Sequence, residues 1–360
     1  MTLTDRLDQY LQTAKLEAVW FARPNSFAWL TGGGNNVVDR EGDIGVAAAG
    51  YDGDEIRVVT DNIEAQRLLD EELDSDVAVE TFDWHAESLA DAVAEASPTP
   101  AAADFDVAGF ESVDATQLRQ PLTDAQIEQY RELGRDTAEA VETVARNVEP
   151  SHTELDVTAG LRRELESRGI ATPVVLVGSA ERAQSYRHYT STDAELGDYA
   201  LMSVTAQRNG LHVSTTRAVA FDPPEWFGER TRKATRVETS ALAATQAVGQ
   251  EGGTAGDVFA AVQDAYAEVG WEGEWQNHHQ GGAAGFAGRE WIATPGHEAE
   301  IVLPQGYAWN PTIAGAKSED THLVTAEDVE LLSTTGDWPT ETVEAVGYDL
   351  ELPRHTVLEL

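Results

Sequence analysis

From Thr123 onward the sequence repeats one order of elements, and that order constrains the fold more than any other feature. A long helix is predicted over residues 125–147, with Thr123 as N-cap and acids in its early turns, and a second over 155–168 after a cap region at 150–153. Strand patterns follow at 174–178, 199–206 and 211–221, the last two joined through 207–210 as a hairpin. The order then recurs: helices over 231–247 and 255–268, a Gly-rich segment, and the final strands at 307–310 and 321–325. Two helices followed by strands, twice over, imply a duplicated αβ architecture, an α+β fold with an antiparallel sheet and helices on one face.

The N-terminal third alternates more closely. A helix is expected over 5–15, a short buried strand over 18–21, a turn at 24–27, paired strands over 44–49 and 55–60, and a helix over 62–73. Residues 97–103, rich in Pro and Ala, read as a surface connection before the apolar 107–110. This gives a smaller α/β domain over 1–122 and a second domain over 123–360.

Charge excludes several function classes. The formal net charge is -40, from 64 acidic and 24 basic side chains, so carboxylates must cover nearly the whole surface. Such a field repels a phosphate backbone and argues against nucleic acid as partner. Only Lys15, Lys233 and Lys317 are lysines; every other cation is arginine. Acids spread over a surface that has shed long ammonium stems keep a chain soluble in molar salt, so a haloarchaeal-type cytoplasmic protein is expected. A 41% hydrophobic content argues against an acidic disordered chain. With no cysteine, thiolate ligands and thiol nucleophiles are excluded. Residues 1–15 are charged rather than apolar, and no apolar run approaches the ~20 residues of a membrane span, so neither a signal peptide nor a membrane partner is expected.

Residues suited to chemistry cluster in three segments at predicted strand edges or loops, where functional side chains concentrate. They are Arg187-His188-Tyr189, then His278-His279 running through Gly281-Gly282 to Arg289-Glu290, and Asn310-Pro311 followed by Lys317-Ser318-Glu319-Asp320. His188 is the candidate base, since imidazole titrates nearest neutrality. Glu319 is suited to orient it or to hold a cationic nitrogen. Lys317 is notable as a lysine kept beside that carboxylate, fit to bind a substrate carboxylate or to take the volume and charge of a cation. Arg187, Arg217 and Arg289 can recognise carboxylates in bidentate pairs. His212, His297 and His322 read as structural or solvated, and Ser203 and Ser214 lack the Gly-x-Ser-x-Gly context of a nucleophile.

These segments resemble the pita-bread family of aminopeptidase P, prolidase and creatinase. Active members carry two Asp ligands eleven residues apart on a hairpin, as Asp-x-Gly, a turn, and Ser-Asp-x-Thr-Arg. This chain has Ser203-Val204-Thr205, a turn, and Val213-Ser214-Thr215-Thr216-Arg217, so the spacing and the Thr-Arg match while both ligand positions are serine. The family's His-x-x-Gly-His-Gly-x-Gly and His-Glu string lies without gaps on His278, Gly281, Gly282, Gly285, Arg289 and Glu290, which sets Gly282 at the ligating His. Sliding that string by three would set His279 there instead. The first ligating Glu becomes Asn310, and the second survives as Glu319.

The resemblance implies a pita-bread C-terminal domain, a creatinase-type N-terminal domain and a homodimer in which one subunit's N-terminal domain helps close the other's site. It also implies that the substrate-facing histidine is His188, with Lys317, His278, His279, Arg289, Glu290, Arg187, Arg217 and Asn310 as substrate-binding candidates and Glu319 catalytic beside His188. Two-metal hydrolysis needs carboxylates bridging ions ~3.5 Å apart; with Glu319 alone retained, no metal cofactor is expected. Creatinase is the family's metal-free member and hydrolyses a C–N bond. Three readings follow: a metal-independent hydrolase of an amide-like C–N bond in a small amino-acid or dipeptide-like substrate; a conventional Xaa-Pro aminopeptidase or prolidase using Mn, Co or Zn; and a non-catalytic chain that binds a peptide or partner.

Overall fold

The computed structural model describes residues 2–360, and the chain divides into two compact units, Met1–Thr123 and Asp124–Leu360. In the first, α1 (Leu3–Ala14), β1 (Ala18–Phe21), α2 (Pro24–Leu30), β2 (Ala47–Tyr51), β3 (Ile56–Asp61), α3 (Ala65–Glu71), β4 (Ala78–Phe82), α4 (Leu89–Ala96), β5 (Ala101–Ala103) and β6 (Glu111–Ser112) follow in order. The strands form one sheet in the order β4-β3-β2-β1-β5-β6. Two expectations are corrected here. The Ala-rich end of 97–103 is not a surface connection: Ala101–Ala103 are fully buried and pair in parallel with Ala18–Trp20. A strand buried on both faces shows no alternation, so its pattern is silent. The expected turn at 24–27 opens α2, because Pro24 occupies the first helical turn, where its missing N–H is no loss.

The second unit runs α5 (Asp124–Ala145), α6 (Glu154–Glu166), β7 (Ala171–Ser179), α7 (Ala180–Ser185), β8 (Tyr199–Arg208) and β9 (Leu211–Ala220). It continues through α8 (Trp226–Glu251), α9 (Ala255–Glu268), β10 (Gly281–Ala284), β11 (Gln305–Trp309), β12 (Thr312–Ile313), β13 (Ala316–Lys317), β14 (Asp320–Val324) and β15 (Val329–Leu331). The last strands are β16 (Thr340–Glu344), β17 (Glu351–His355) and β18 (Leu358–Glu359). Two four-stranded sheets result, β18-β9-β8-β7 and β10-β11-β14-β15.

The duplication reaches single hydrogen bonds. Thr153 and Thr254 each cap the second helix of their half in a capping box with an Asp three residues on, Asp156 and Asp257. Each Thr also forms an isolated antiparallel bridge to a glutamate some 40 residues later, Glu195 and Glu300. The same anchor therefore recurs at the start of the second helix in both halves. The β8–β9 hairpin closes on Asn209-Gly210, both at positive φ (52° and 79°), the conformation a tight two-residue turn demands. Its register pairs Ser203 with Thr216 and Thr205 with Ser214.

Backbone bonds then join the halves. Thr216 N donates to Glu319 O at 2.8 Å, and His212 N to Gly285 O at 2.8 Å. The hairpin is therefore laid against the segment carrying Lys317 and Glu319. The strands at 307–310 and 321–325 are not the final ones: β16 and β17 pair as a hairpin and β18 adds in parallel to β9. Among the described residues no helix is long and apolar enough to cross a membrane.

Candidate functional site

Glu319 sits at the junction of the two halves, 6% exposed. One carboxylate oxygen accepts from Lys317 Nζ at 2.7 Å and Thr216 Oγ1 at 3.0 Å, the other from Arg289 Nη2 at 2.9 Å. Lys317 Nζ also donates to Ser203 Oγ at 3.3 Å, and Arg289 Nη1 to Ser214 Oγ at 3.1 Å. Tyr189 shares a hydrogen bond with Ser203, which shares another with Thr216. Burial alone would raise the Glu319 carboxyl, but Lys317 and Arg289 outweigh it and hold it down to about 2.

A carboxylate held below its ordinary range stabilises the fold above that range and loses this contribution as pH falls through its folded value. Denaturation midpoints of wild type and Glu319→Gln should therefore differ most near neutral pH and converge from about 4.5 toward 2, read in matched denaturant series. A constant difference across that window would mean that the carboxylate charge is not what stabilises the junction.

Three histidines lie near this charged floor. His188, in the loop after α7, and His278, at the end of a 3₁₀ turn (Glu274–Asn277), approach with their Nε2 atoms 3.2 Å apart. His279 follows, its ring centroid 5.6 Å from that of His188 and 4.4 Å from that of His278. Burial first, then Lys317, lowers His188. Burial first, then Lys317, lowers His278 to about 2, and burial first, then Arg289, lowers His279 to about 4. His278 and His279 are thus neutral at pH 7, with lone pairs available.

Other predicted residues have different places. Arg187 forms an ion pair at 2.6 Å with Glu274, which sequence reasoning missed. Arg217 is corrected from a substrate-binding candidate to a buried anchor, since it is 1% exposed and bonded to Glu142, Thr215, Asp320 and Ser333. Glu290 is buried, and its charge is felt at Tyr130. Asn310 is 2% exposed, with Oδ1 buried and unpartnered. His322, fully buried, meets Arg354 Nη1 at 2.6 Å.

The residues present do not fit a two-metal centre. The aspartate positions are serine hydroxyls bonded to Lys317 and Arg289, so two side-chain cations flank the one retained carboxylate. On the ungapped placement the ligating histidine falls at Gly282, where a Cβ would stand 2.3 Å from the backbone oxygen of Trp291 and 2.8 Å from its ring, so a histidine there needs the local backbone to move. Neither Glu274 nor Trp291 carries a motif that would have flagged it.

Solved structures share this fold at low identity. The prolidase from Pyrococcus furiosus matches with a TM-score of 0.72 and 17% identity, over 91% of this chain and 99% of its own. The X-Pro aminopeptidase from Thermotoga maritima MSB8 matches with 0.73 and 15%, over 99% of each chain. The N-terminal domain of the FACT complex subunit SPT16 from chickpea matches with 0.65 and 12%, over 93% of this chain and 97% of its own. No curated protein matches the sequence. The family model of the metallopeptidase family M24 matches residues 128–326, more than half of the 360. With that match and with a pita-bread architecture built from duplicated halves, the chain belongs to metallopeptidase family M24.

Proposed function

We propose that the chain hydrolyses an amide-like C–N bond in a small amino-acid or dipeptide-like substrate without the family's metal pair. The observation that carries this reading is the pair of cations, Lys317 and Arg289, on opposite oxygens of Glu319 beside a partly exposed His188. Lys317 has three N–H donors, of which Glu319 and Ser203 take two. The third is left for a substrate oxygen.

In this scheme His188 removes a proton from water as its oxygen attacks the carbon of the C–N bond. The negative charge arising on the substrate oxygen is met by Lys317 and Arg289, already oriented by Glu319, so little reorganisation is needed as charge develops. The C–N bond then breaks, and the proton on His188 passes to the leaving nitrogen, giving an acid and an amine. Tyr189 and Thr216 hold Ser203 and Glu319 in register and take no proton.

The test is turnover of dipeptides and guanidino amino acids by full-length protein in high salt, with and without chelator. Expected is chelator-resistant turnover that falls about 10²–10⁴-fold in His188→Ala. Turnover that requires added manganese, cobalt or zinc would restore a conventional metallopeptidase, and binding of such substrates without turnover would leave a non-catalytic binding role.

A further inference from the structure

We propose that His188, His278 and His279 form a binding site for one divalent transition-metal ion of the zinc type, separate from the family's carboxylate centre. One ligand nitrogen from each ring lies within 4.8 Å of the other two. A tetrahedral zinc ion at about 2.0–2.1 Å from each imidazole nitrogen sets its ligands roughly 3.4 Å apart. The Nε2 atoms of His188 and His278 already stand 3.2 Å apart, and His279 offers a ring nitrogen within 4.8 Å of one on each of them. Three imidazoles leave a fourth position open.

A second observation is that the two segments are pinned together. Arg187, next to His188, pairs with Glu274 at 2.6 Å, and Glu274 begins the 3₁₀ turn that delivers His278 and His279. Asn277 Nδ2 donates to the other Glu274 oxygen at 3.0 Å, and Gln280 Nε2 donates to His278 O at 2.6 Å. The ligands are therefore held on a braced turn, which lowers the ordering penalty of binding. Imidazole donors favour zinc, copper, nickel and cobalt over magnesium, calcium and manganese.

Affinity is limited by what surrounds the rings. Lys317 and Arg289 repel a cation, and Glu319 offsets only one of them. His278 Nδ1 is buried without a hydrogen-bond partner, so no carboxylate raises its basicity; such an outer partner is typically worth 10–100-fold in affinity. Binding is therefore weaker than at a three-histidine site whose rings are braced by carboxylates. On the hydrolase reading above, the ion also engages the lone pair His188 uses as base, so occupancy inhibits turnover; that consequence rests on that reading, while binding does not.

The experiment is titration of the full chain with Co²⁺, reading the visible absorption of a low-coordinate ion, followed by displacement with Zn²⁺ and challenge with Mg²⁺. Expected is one Co²⁺ per chain, released by Zn²⁺ and not by Mg²⁺, with affinity at least tenfold weaker in His279→Ala and absorption lost in the His188→Ala/His278→Ala/His279→Ala triple variant. Far-UV circular dichroism establishes that the variants fold; a misfolded triple variant is replaced by the single His278→Gln variant, expected to weaken binding at least tenfold. Absorption that survives loss of these histidines, or disappears instead in Glu319→Gln, would overturn the site, as would equal competition by Mg²⁺. Inhibition by Zn²⁺ is read separately, so a chain that binds Co²⁺ but never turns over refutes the hydrolase reading alone.

Discussion

Asp320→Asn lowers folding stability by about 3–5 kcal/mol, the range for removing one partner of a buried ion pair. Asp320 is 2% exposed and gathers two guanidiniums and an imidazole: Arg217 Nη1 at 2.9 Å, Arg354 Nη2 at 3.1 Å and His355 Nδ1 at 2.9 Å. Burial alone would raise its carboxyl, yet His355, Arg217 and Arg354 hold it far below the ordinary range, so it is the anion the network is built on. Glu238 shares Arg354 but is raised, by burial first and by Asp320 as a like charge. Glu238→Gln should therefore lose well under half as much, because less charge is removed and Arg354 keeps Asp320. Denaturant midpoints at constant salt check both variants; equal losses would mean that the two carboxylates share the charge.

The second large effect is on turnover. Lys317→Met should lower kcat about 10²–10³-fold, as loss of one preorganised donor to a developing oxyanion does, with a smaller loss of stability than Asp320→Asn because Arg289 still pairs with Glu319. Ser203→Ala removes a neighbour of the same ammonium without removing charge and should cost far less. Steady-state kinetics on the substrate found in the turnover screen separate the two. Equal kcat in wild type and Lys317→Met would remove Lys317 from the chemistry and leave it an ion-pair partner.

Much of this site was legible because it depends on local register. The eleven-residue spacing from Ser203 to Ser214 and the Asn209-Gly210 turn are sequence properties, and the hairpin follows from them. The retained Thr216-Arg217 pair was also readable, but its two members diverge: Thr216 reaches Glu319 while Arg217 turns into the network around Asp320. Adjacent residues on a strand point to opposite faces, so the motif alone could not assign both to one site. The partners of Arg217 lie on α5, β14 and the segment after β15, and those of Asp320 extend to β17. Contacts so distant in sequence leave no local period, which is also why the closing strands and the Arg187–Glu274 pair went unanticipated. Ala101–Ala103 were misread for a different reason: small side chains on a strand covered on both faces carry neither alternation nor bulk.

Trp291 beside Gly282 makes the family's ligand set unequally easy to install in this chain. Aspartate at 203 and 214 and glutamate at 310 are single substitutions, but a histidine at 282 collides with main chain rather than with a side chain that can swing away. Installing the full set therefore requires the backbone at Trp291 to move as well. Selection or design starting from this chain has a shorter route to new chemistry around Lys317 and Arg289 than to two ions.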